Sequence, residues 1–158
     1  MKQKTNSLRL TAAHIAAVHR VMEDTGPPSG VVQQTDADYA DWVQRIAQSR
    51  PLASSSIQLF AYGSLIWKPE IDHVSEQPAT ARGWHRSFCL RMHRFRGTVE
   101  QPGLMMALDR GGQCQGVLYE LPRANIEGQL DQLFRREFTV KPINSAPRWI
   151  RVATSSGT

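Results

Sequence analysis

Residues 57–72, IQLFAYGSLIWKPEID, decide how the chain folds. Residues 57–62 form a short apolar and aromatic run with polar residues before it and a glycine after it, which is typical of a buried β-strand. The run ends at Gly63 and Ser64, where glycine lets the backbone turn and successive N–H groups can converge on an anion. Pro69 prevents further regular pairing on that edge. The stretch therefore predicts a candidate site at the end of a strand, although an ordinary strand and turn share the same short pattern.

The composition of the chain is that of a single soluble globular domain. The 158 residues are 41% hydrophobic and 21% charged, which suits one folded core. No run approaches the roughly 20 apolar residues of a membrane span, and the N-terminus lacks an apolar signal segment, so we expect a cytoplasmic protein without a membrane partner. Cys89 and Cys114 have neither metal-site spacing nor the number needed for a disulfide framework, so reduced structural thiols are predicted.

The net charge of +5 indicates an anionic partner, which can be a nucleic acid or a small peptide with carboxylates. Residues 91–96, RMHRFR, interleave basic and aromatic side chains and are the feature most similar to a nucleic-acid patch. The segment is short and adjoins Gly97, so we expect a solvated loop and no nucleic-acid partner. The sequence contains no metal cluster, phosphate-binding loop or dinucleotide fingerprint.

Residues 1–56 are predicted to be a helical extension that packs on the rest of the chain and has no chemistry of its own. Thr11 can cap a first helix with an apolar face. Thr35 or Asp36 can cap a second helix, whose apolar stripe comprises Tyr39, Trp42, Val43 and Ile46. Residues 57–158 then form the domain that contains the candidate site.

Alternating and apolar runs downstream predict further strands. Residues 80–92 place Arg86 on the same face as the apolar side chains of Trp84, Phe88, Leu90 and Met92. An arginine on an apolar face needs a partner, which can be a structural ion pair or the carboxylate of a ligand, because its forked geometry suits either. Residues 104–108 and 115–121 are predicted to form a hairpin around a turn at residues 109–112.

Residues 123–138 have a helical pattern whose inward stripe comprises Ile126, Leu130, Leu133 and Phe134. Continuing that stripe places Glu137 on the apolar face, whereas Asp131, Arg135 and Arg136 fall off the line and are predicted to face solvent. Burial raises the pKa of a carboxyl group, which is what a general base near neutral pH requires. The alternative is a helix that frays early and leaves Glu137 paired with Arg86 or another cation.

Tyr62-Gly63-Ser64-Leu65, followed by Ile66-Trp67-Lys68-Pro69, resembles the signature of the ChaC family of glutathione-specific γ-glutamylcyclotransferases. Further similar segments come in the family's order, namely RGWHR at residues 82–86, the glycine-rich segment after Leu108 and FRRE at residues 134–137. The resemblance covers roughly residues 57–154. It implies an α+β fold, a small γ-glutamylcyclotransferase-like mixed β-barrel with flanking helices.

The resemblance also implies a reaction and a set of residue roles. Glutathione would be converted to 5-oxoproline and Cys-Gly without a metal or an organic cofactor. Glu137 would be the general acid/base, and Tyr62, Gly63, Ser64 and Leu65 would hold the γ-glutamyl group through backbone amides. Arg86 stays a candidate for binding a substrate carboxylate or for a structural pair.

Two features depart from the family's pattern. Residues 138–147 contain neither the glycine nor the tyrosine that ChaC-like sequences usually have soon after the catalytic glutamate. Residues 149–154 resemble the start of a strand pair that the family continues, so the chain is expected to lack the family's C-terminal part and to leave a sheet edge open.

Other functions share these sequence features. The chain can be a cyclotransferase for another γ-glutamyl compound, such as a γ-glutamylamine, since every motif would be the same. It can also be a γ-glutamyl sensor without turnover, or a nucleic-acid-binding domain that uses residues 91–96. The sequence makes no prediction of the oligomeric state.

Overall fold

The computed structural model describes residues 11–18, 26–51, 56–143 and 145–155. Helices and strands both contribute to the fold, so the predicted α+β class is confirmed. In chain order the elements are α1 (Ala12–Val18), β1 (Val32–Gln33), α2 (Asp36–Gln48), β2 (Gln58–Ala61), α3 (Ser64–Trp67), β3 (Ser75–Met92), β4 (Gly103–Glu120), a 3₁₀ turn (Arg123–Asn125), α4 (Ile126–Glu137), β5 (Val140–Lys141) and β6 (Val152–Thr154).

A four-stranded antiparallel sheet with the order β2-β4-β3-β6 forms the centre of the fold. Strands β3 and β4 have 18 residues each and pair along most of their length. Strand β2 covers the C-terminal end of β4, from Gln58 opposite Glu120 to Ala61 opposite Val117. Strand β6 pairs with residues 79–81 of β3. Within the described residues the sheet is therefore open, with β2 and β6 at its edges.

The hairpin predicted inside residues 104–121 is wrong, because β4 runs without a turn from Gly103 to Glu120. Gly111 and Gly112, with φ of 101° and 64°, lie instead at a register shift, where β3 pairs through Arg82 opposite Gln113 and then Trp84 opposite Arg110. A β-bulge uses glycine at positive φ just as a turn does, so the local sequence predicts both equally.

The actual hairpin joins β3 to β4 through residues 93–102, so the loop predicted for residues 91–96 is confirmed from His93 onward. A second register shift, between Ser87 and Leu90, interrupts the predicted alternation of β3. Phe88 consequently does not join the buried face, and 66% of it is exposed.

The core lies where α2 and α4 pack together beside the end of the sheet. Both helical stripes are confirmed, and the core cluster comprises Tyr39, Val43, Ile57, Ile71, Leu121, Leu130, Leu133 and Phe134. Helix α2 begins after Thr35, whose side chain forms a capping box with Asp38. At the start of α1 the hydroxyl group of Thr11 accepts a hydrogen bond from the backbone N–H of His14 at 3.3 Å, as expected for a cap. The sequence-based division at residue 56 stays a prediction, and the first helix beyond Val18 falls outside the described residues.

Gly116 of β4 is a position where side-chain volume should not be tolerated. A Cβ atom there would lie 2.3 Å from the carbonyl oxygen of Ala61 and 2.8 Å from the ring of Phe60. We expect Gly116→Ala to lower the free energy of unfolding by about 1–3 kcal/mol, measured by urea denaturation, because β2 must move away from β4. Gln113→Ala, an exposed position of the same strand, should change it by less than about 0.5 kcal/mol. Equal stabilities of Gly116→Ala and wild type would contradict this close strand packing.

Candidate active site

The turn after β2 is a junction between a strand and one helical turn. Strand β2 ends at Ala61, and Gly63 is the N-cap of α3. The N–H group of Ile66 donates to the carbonyl oxygen of Gly63 at 2.9 Å, which closes the turn. The preceding N–H groups, those of Ser64 and Leu65, begin the helix, where the helical backbone itself supplies no acceptor. The predicted strand end and turn are thus confirmed, and the apolar residues that follow are helical.

Arg86 holds this turn against the sheet. Its Nε donates to the carbonyl oxygen of Tyr62 at 2.7 Å, and its Nη2 donates to the carbonyl oxygen of Gln115 at 2.5 Å. One guanidinium therefore joins the end of β2 to both β4 and β3. A second contact comes from β4, where the Tyr119 hydroxyl donates to the carbonyl oxygen of Ile66 at 3.4 Å.

Glu137 is the last residue of α4, so the helix extends as far as the sequence predicted, but the predicted burial of Glu137 on the apolar face is wrong, because the residue is exposed at the helix end. Its side chain is 36% exposed, and Oε1 lies 3.2 Å from Nε of Arg136. The surrounding protein desolvates the carboxylate and raises the pKa of Glu137, and the neighbouring Arg136 guanidinium offsets part of that rise. Glu137 thus pairs with Arg136, not with Arg86.

Tyr62 and Glu137 come from distant parts of the chain, and the fold brings them within electrostatic range of each other. Burial raises the pKa of the Tyr62 phenol, the negative charge of Glu137 raises it further, and a backbone hydrogen bond with Leu108 acts in the opposite direction. The phenol is therefore neutral at neutral pH and can donate a hydrogen bond. The packing of α4 near the end of β2 therefore brings a carboxylate within electrostatic range of a protonated phenol.

Arg136 is a site residue that the sequence analysis missed. Its side chain is only 23% exposed, so the prediction of an ordinary solvent-facing residue is wrong. Its Nη1 donates to the carbonyl oxygens of Lys68 at 2.5 Å and Pro69 at 3.1 Å, and lies 3.0 Å from Oε2 of Glu70. Helical periodicity could not reveal this position, because the segment that covers it follows α3, far away in the sequence.

Arg135 makes contacts that are separate from the site. Its Nη1 lies 2.7 Å from Oδ1 of Asp36, and its Nε lies 2.7 Å from Oδ2 of Asp131. The guanidinium also stacks over the Tyr39 ring at 4.6 Å from its centroid. Adjacent arginines of α4 therefore serve different contacts, one toward α2 and the other toward the segment after α3.

Cys89 and Cys114 are both free thiols, as predicted, and Cys114 is buried while Cys89 is exposed. Among the described residues, no three His, Cys, Asp or Glu side chains are grouped so that they could hold a metal ion. The described helices also include none that is long and apolar enough to cross a membrane.

Comparison with protein families identifies the region that contains this site. The family model described as ChaC-like protein matches residues 57–147, more than half of the chain. The chain therefore belongs to the ChaC-like family, as its sequence motifs predicted. The matched region contains both the turn at Gly63 and the glutamate at position 137.

Several curated relatives match parts of the chain. The glutathione-specific gamma-glutamylcyclotransferase of Escherichia coli (strain K12) is 46% identical over 81 residues, which are 51% of this chain and 35% of that protein. The protein of the same name from Schizosaccharomyces pombe is 42% identical over 53 residues, 34% of this chain and 26% of that protein. Glutathione-specific gamma-glutamylcyclotransferase 1 of Mus musculus is 32% identical over 84 residues, 52% of this chain and 38% of that protein. The chain thus spans 26% to 38% of the length of these relatives.

The solved structures include a γ-glutamyl cyclotransferase specific to glutathione from yeast, in selenomethionine-labelled form. It superposes with a TM-score of 0.48 and 24% sequence identity, covering 54% of this chain and 49% of that chain.

The raised pKa of Glu137 predicts how stability depends on pH. Above its ordinary value of 4.5, the folded state keeps the Glu137 proton to higher pH than the unfolded state, so stability falls as the pH rises through that window. Glu137→Gln removes this ionisation. We expect the free energy of unfolding of Glu137→Gln minus that of wild type to increase from pH 4 to pH 7.5 in urea titrations.

Glu127→Gln is the matched control for this stability measurement, because Glu127 is an exposed glutamate in the first turn of the same helix. A carboxylate there interacts favourably with the helix N-terminus, so its loss should not give a stability gain that grows with pH. A difference for Glu137→Gln that shrinks or stays constant as the pH rises would contradict the raised pKa.

Proposed function

We propose that this chain converts glutathione to 5-oxoproline and Cys-Gly, with Glu137 as the general acid/base. The observation that carries the proposal is that Glu137, at the end of α4, lies close enough to the strand-end turn for its charge to raise the pKa of the Tyr62 phenol, while the carboxylate is itself partly desolvated. Membership of the ChaC-like family supports this reaction, and so do the names of the curated relatives, of which the chain spans only a part.

The proposed reaction begins with the substrate's own α-amine, which attacks its own γ-carbonyl carbon. Because the nucleophile is already attached, the site mainly has to select the folded rotamer in which these atoms are close. An ammonium ion cannot attack, so Glu137 first takes a proton from it. The new bond joins the α-nitrogen to the γ-carbon, and the bond from that carbon to the cysteine nitrogen breaks. Glu137 then delivers this proton to the departing nitrogen, and the second proton that the α-nitrogen loses on becoming the lactam N–H passes to the same nitrogen, so Cys-Gly leaves with a protonated amine.

The raised pKa of Glu137 suits this double role. A carboxylate whose proton affinity is increased accepts a proton more readily near neutral pH than an exposed glutamate does. The positive charge of Arg136 opposes part of this rise in the Glu137 pKa.

We assign the substrate's γ-glutamyl end to the turn formed by Tyr62, Gly63, Ser64 and Leu65. The N–H groups at the start of α3 are suitable donors for the α-carboxylate or for the oxyanion that develops on the γ-carbonyl oxygen. Arg86 uses two donors to hold backbone carbonyls. A guanidinium has five N–H donors, and we propose a substrate carboxylate as a partner for the others.

The division of the chain follows from the same proposal. Residues 57–158 would provide the site, and residues 1–56 would support it structurally without contributing a reacting group. The packing of α2 against α4, through Tyr39 and Val43, is consistent with such a supporting role.

The test is to incubate the purified 158-residue protein with glutathione and to follow 5-oxoproline by mass spectrometry. Glu137→Gln keeps the size of the side chain and removes the base, so we expect it to lower kcat by about 10²- to 10⁴-fold. Glu127→Gln, at an exposed position of the same helix, should keep the wild-type rate.

The outcomes separate the alternatives. A folded wild-type protein that makes no 5-oxoproline from glutathione would overturn the proposed substrate, and release of 5-oxoproline from another γ-glutamyl compound would then identify a different cyclotransferase. Binding of γ-glutamyl compounds without any product would identify a sensor. Undiminished activity of Glu137→Gln would exclude Glu137 as the acid/base.

A further inference from the structure

The geometry points to Arg136 as the positioning residue of the proposed site, which holds the Glu137 carboxylate in place against the segment that follows the Gly63 turn. This inference rests on the proposed function, because Glu137 is its catalytic group. Arg136 itself need not touch the substrate.

The contacts of Arg136 define the orientation of its guanidinium. Nη1 meets the carbonyl oxygens of Lys68 and Pro69 and the carboxylate of Glu70 on one side, while Nε lies 3.2 Å from Oε1 of Glu137 on the other. A guanidinium is planar and rigid, so anchoring Nη1 also fixes the direction in which Nε points. The carboxylate of Glu137 is thereby tied to a second segment of the chain.

That second segment continues directly from the strand-end turn. The N–H group of Lys68 donates to the carbonyl oxygen of Ser64 at 3.0 Å, so the residue whose carbonyl accepts from Arg136 also closes α3. The sequence of contacts therefore runs from Glu137 through Arg136 and Lys68 to Ser64. It links the proposed acid/base to the proposed γ-glutamyl binding turn by hydrogen bonds and short ion pairs.

Glu70, in the segment of residues 68–70, has a backbone conformation that contacts with α4 stabilise. Its φ is 52°, a left-handed conformation that residues other than glycine adopt at a cost. The Gln132 side chain donates to the carbonyl oxygen of Glu70 at 2.6 Å, and Arg136 pairs with its carboxylate. These contacts from one helix offset that cost and keep residues 68–70 against α4.

The charge of Arg136 also acts on the acid/base equilibrium. The charged group in contact with Glu137 is Arg136, which lowers its pKa, and the Tyr62 phenol, whose own pKa Glu137 raises, is neutral over the working range. Glu70 and Lys68 act indirectly, since Glu70 pairs with both Arg136 and Lys68. Removing the positive charge at position 136 leaves desolvation unopposed, so the Glu137 carboxyl should hold its proton to higher pH.

The experiment compares Arg136→Gln with Arg135→Gln, a matched control one position away. Arg135 pairs with Asp36 and Asp131, so its loss should reduce the melting temperature without reaching Glu137. The readouts are kcat and KM for glutathione, the pH profile of kcat/KM, and the Glu137 pKa from carbon-13 NMR of the side-chain carboxyl, assigned by its absence in Glu137→Gln.

We expect Arg136→Gln to lower kcat by about 10- to 100-fold, because a misplaced catalytic group costs rate rather than affinity. The acid limb of its kcat/KM profile and the Glu137 pKa should both move to higher pH. Arg136→Lys should restore the pH profile, since it keeps the charge, but only part of kcat, since it lacks the fork. Arg135→Gln should keep kcat and the wild-type pH profile.

A second variant keeps the inference testable if Arg136→Gln does not fold. Glu70→Gln removes the carboxylate that shares the guanidinium, so Arg136 acts more strongly on Glu137 and the Glu137 pKa should move to lower pH. An unchanged Glu137 pKa in Glu70→Gln together with a wild-type kcat in Arg136→Lys would overturn the inference.

Failure of this inference can be told apart from failure of the proposed function. A wild-type protein without turnover overturns the function, and the NMR pKa of Glu137 then decides the inference alone. A rise in that pKa in Arg136→Gln, absent in Arg135→Gln, supports the positioning contact. The same pKa in all three proteins overturns it.

Discussion

The packing of α4 against the core is the constraint on which the candidate site depends. Tyr62 directly follows strand β2 and Glu137 ends a helix far downstream, so only tertiary packing can bring them near each other. Leu130, Leu133 and Phe134 are buried on the inner face of α4. Burial of each such side chain contributes about 1.5–3 kcal/mol, far more than the polar contacts at the helix end. The apolar stripe therefore sets the position of Glu137, and the polar contacts adjust its orientation.

Strands β3 and β4 form a long and irregular pair that positions Arg86 beside the strand-end turn. Arg86 lies on β3 between two register shifts, one near Gly83 and one between Ser87 and Leu90. From there it reaches across β4 to the carbonyl oxygen of Tyr62, so a single side chain spans three strands. Irregularities of this kind change the direction of side chains and are frequent next to functional sites.

The candidate site contains two groups, Glu137 and Tyr62, whose pKa values are raised because the surrounding protein disfavours their charged forms. Burial raises the pKa of Glu137 and of Tyr62, and the two groups reinforce each other because an ionised Glu137 disfavours ionisation of the phenol. Arg136 provides the compensating positive charge and is itself shared with Glu70.

The sequence by itself determined the elements whose signals are local. The capping residue Thr35 and the stripe of α2 predicted that helix, and the stripe of α4 predicted a helix that extends to Glu137. The end of β2 just before Gly63 was predicted for the same reason, because the change from an apolar run to glycine and serine involves neighbouring residues only. These signals predicted the α+β class and the turn at the end of β2.

Only the tertiary structure decided the features that depend on distant partners. Gly111 and Gly112 form a bulge rather than a turn because β3 pairs along the whole of β4, which local sequence does not reveal. Arg136 lies off the apolar stripe and was predicted to face solvent, yet residues 68–70 cover it. Periodicity describes which side of a helix faces the core, but it contains no information about the loop that packs over the remaining side. For that physical reason the sequence predicted the proposed catalytic glutamate, whereas the residue that orients it emerged only from the folded structure.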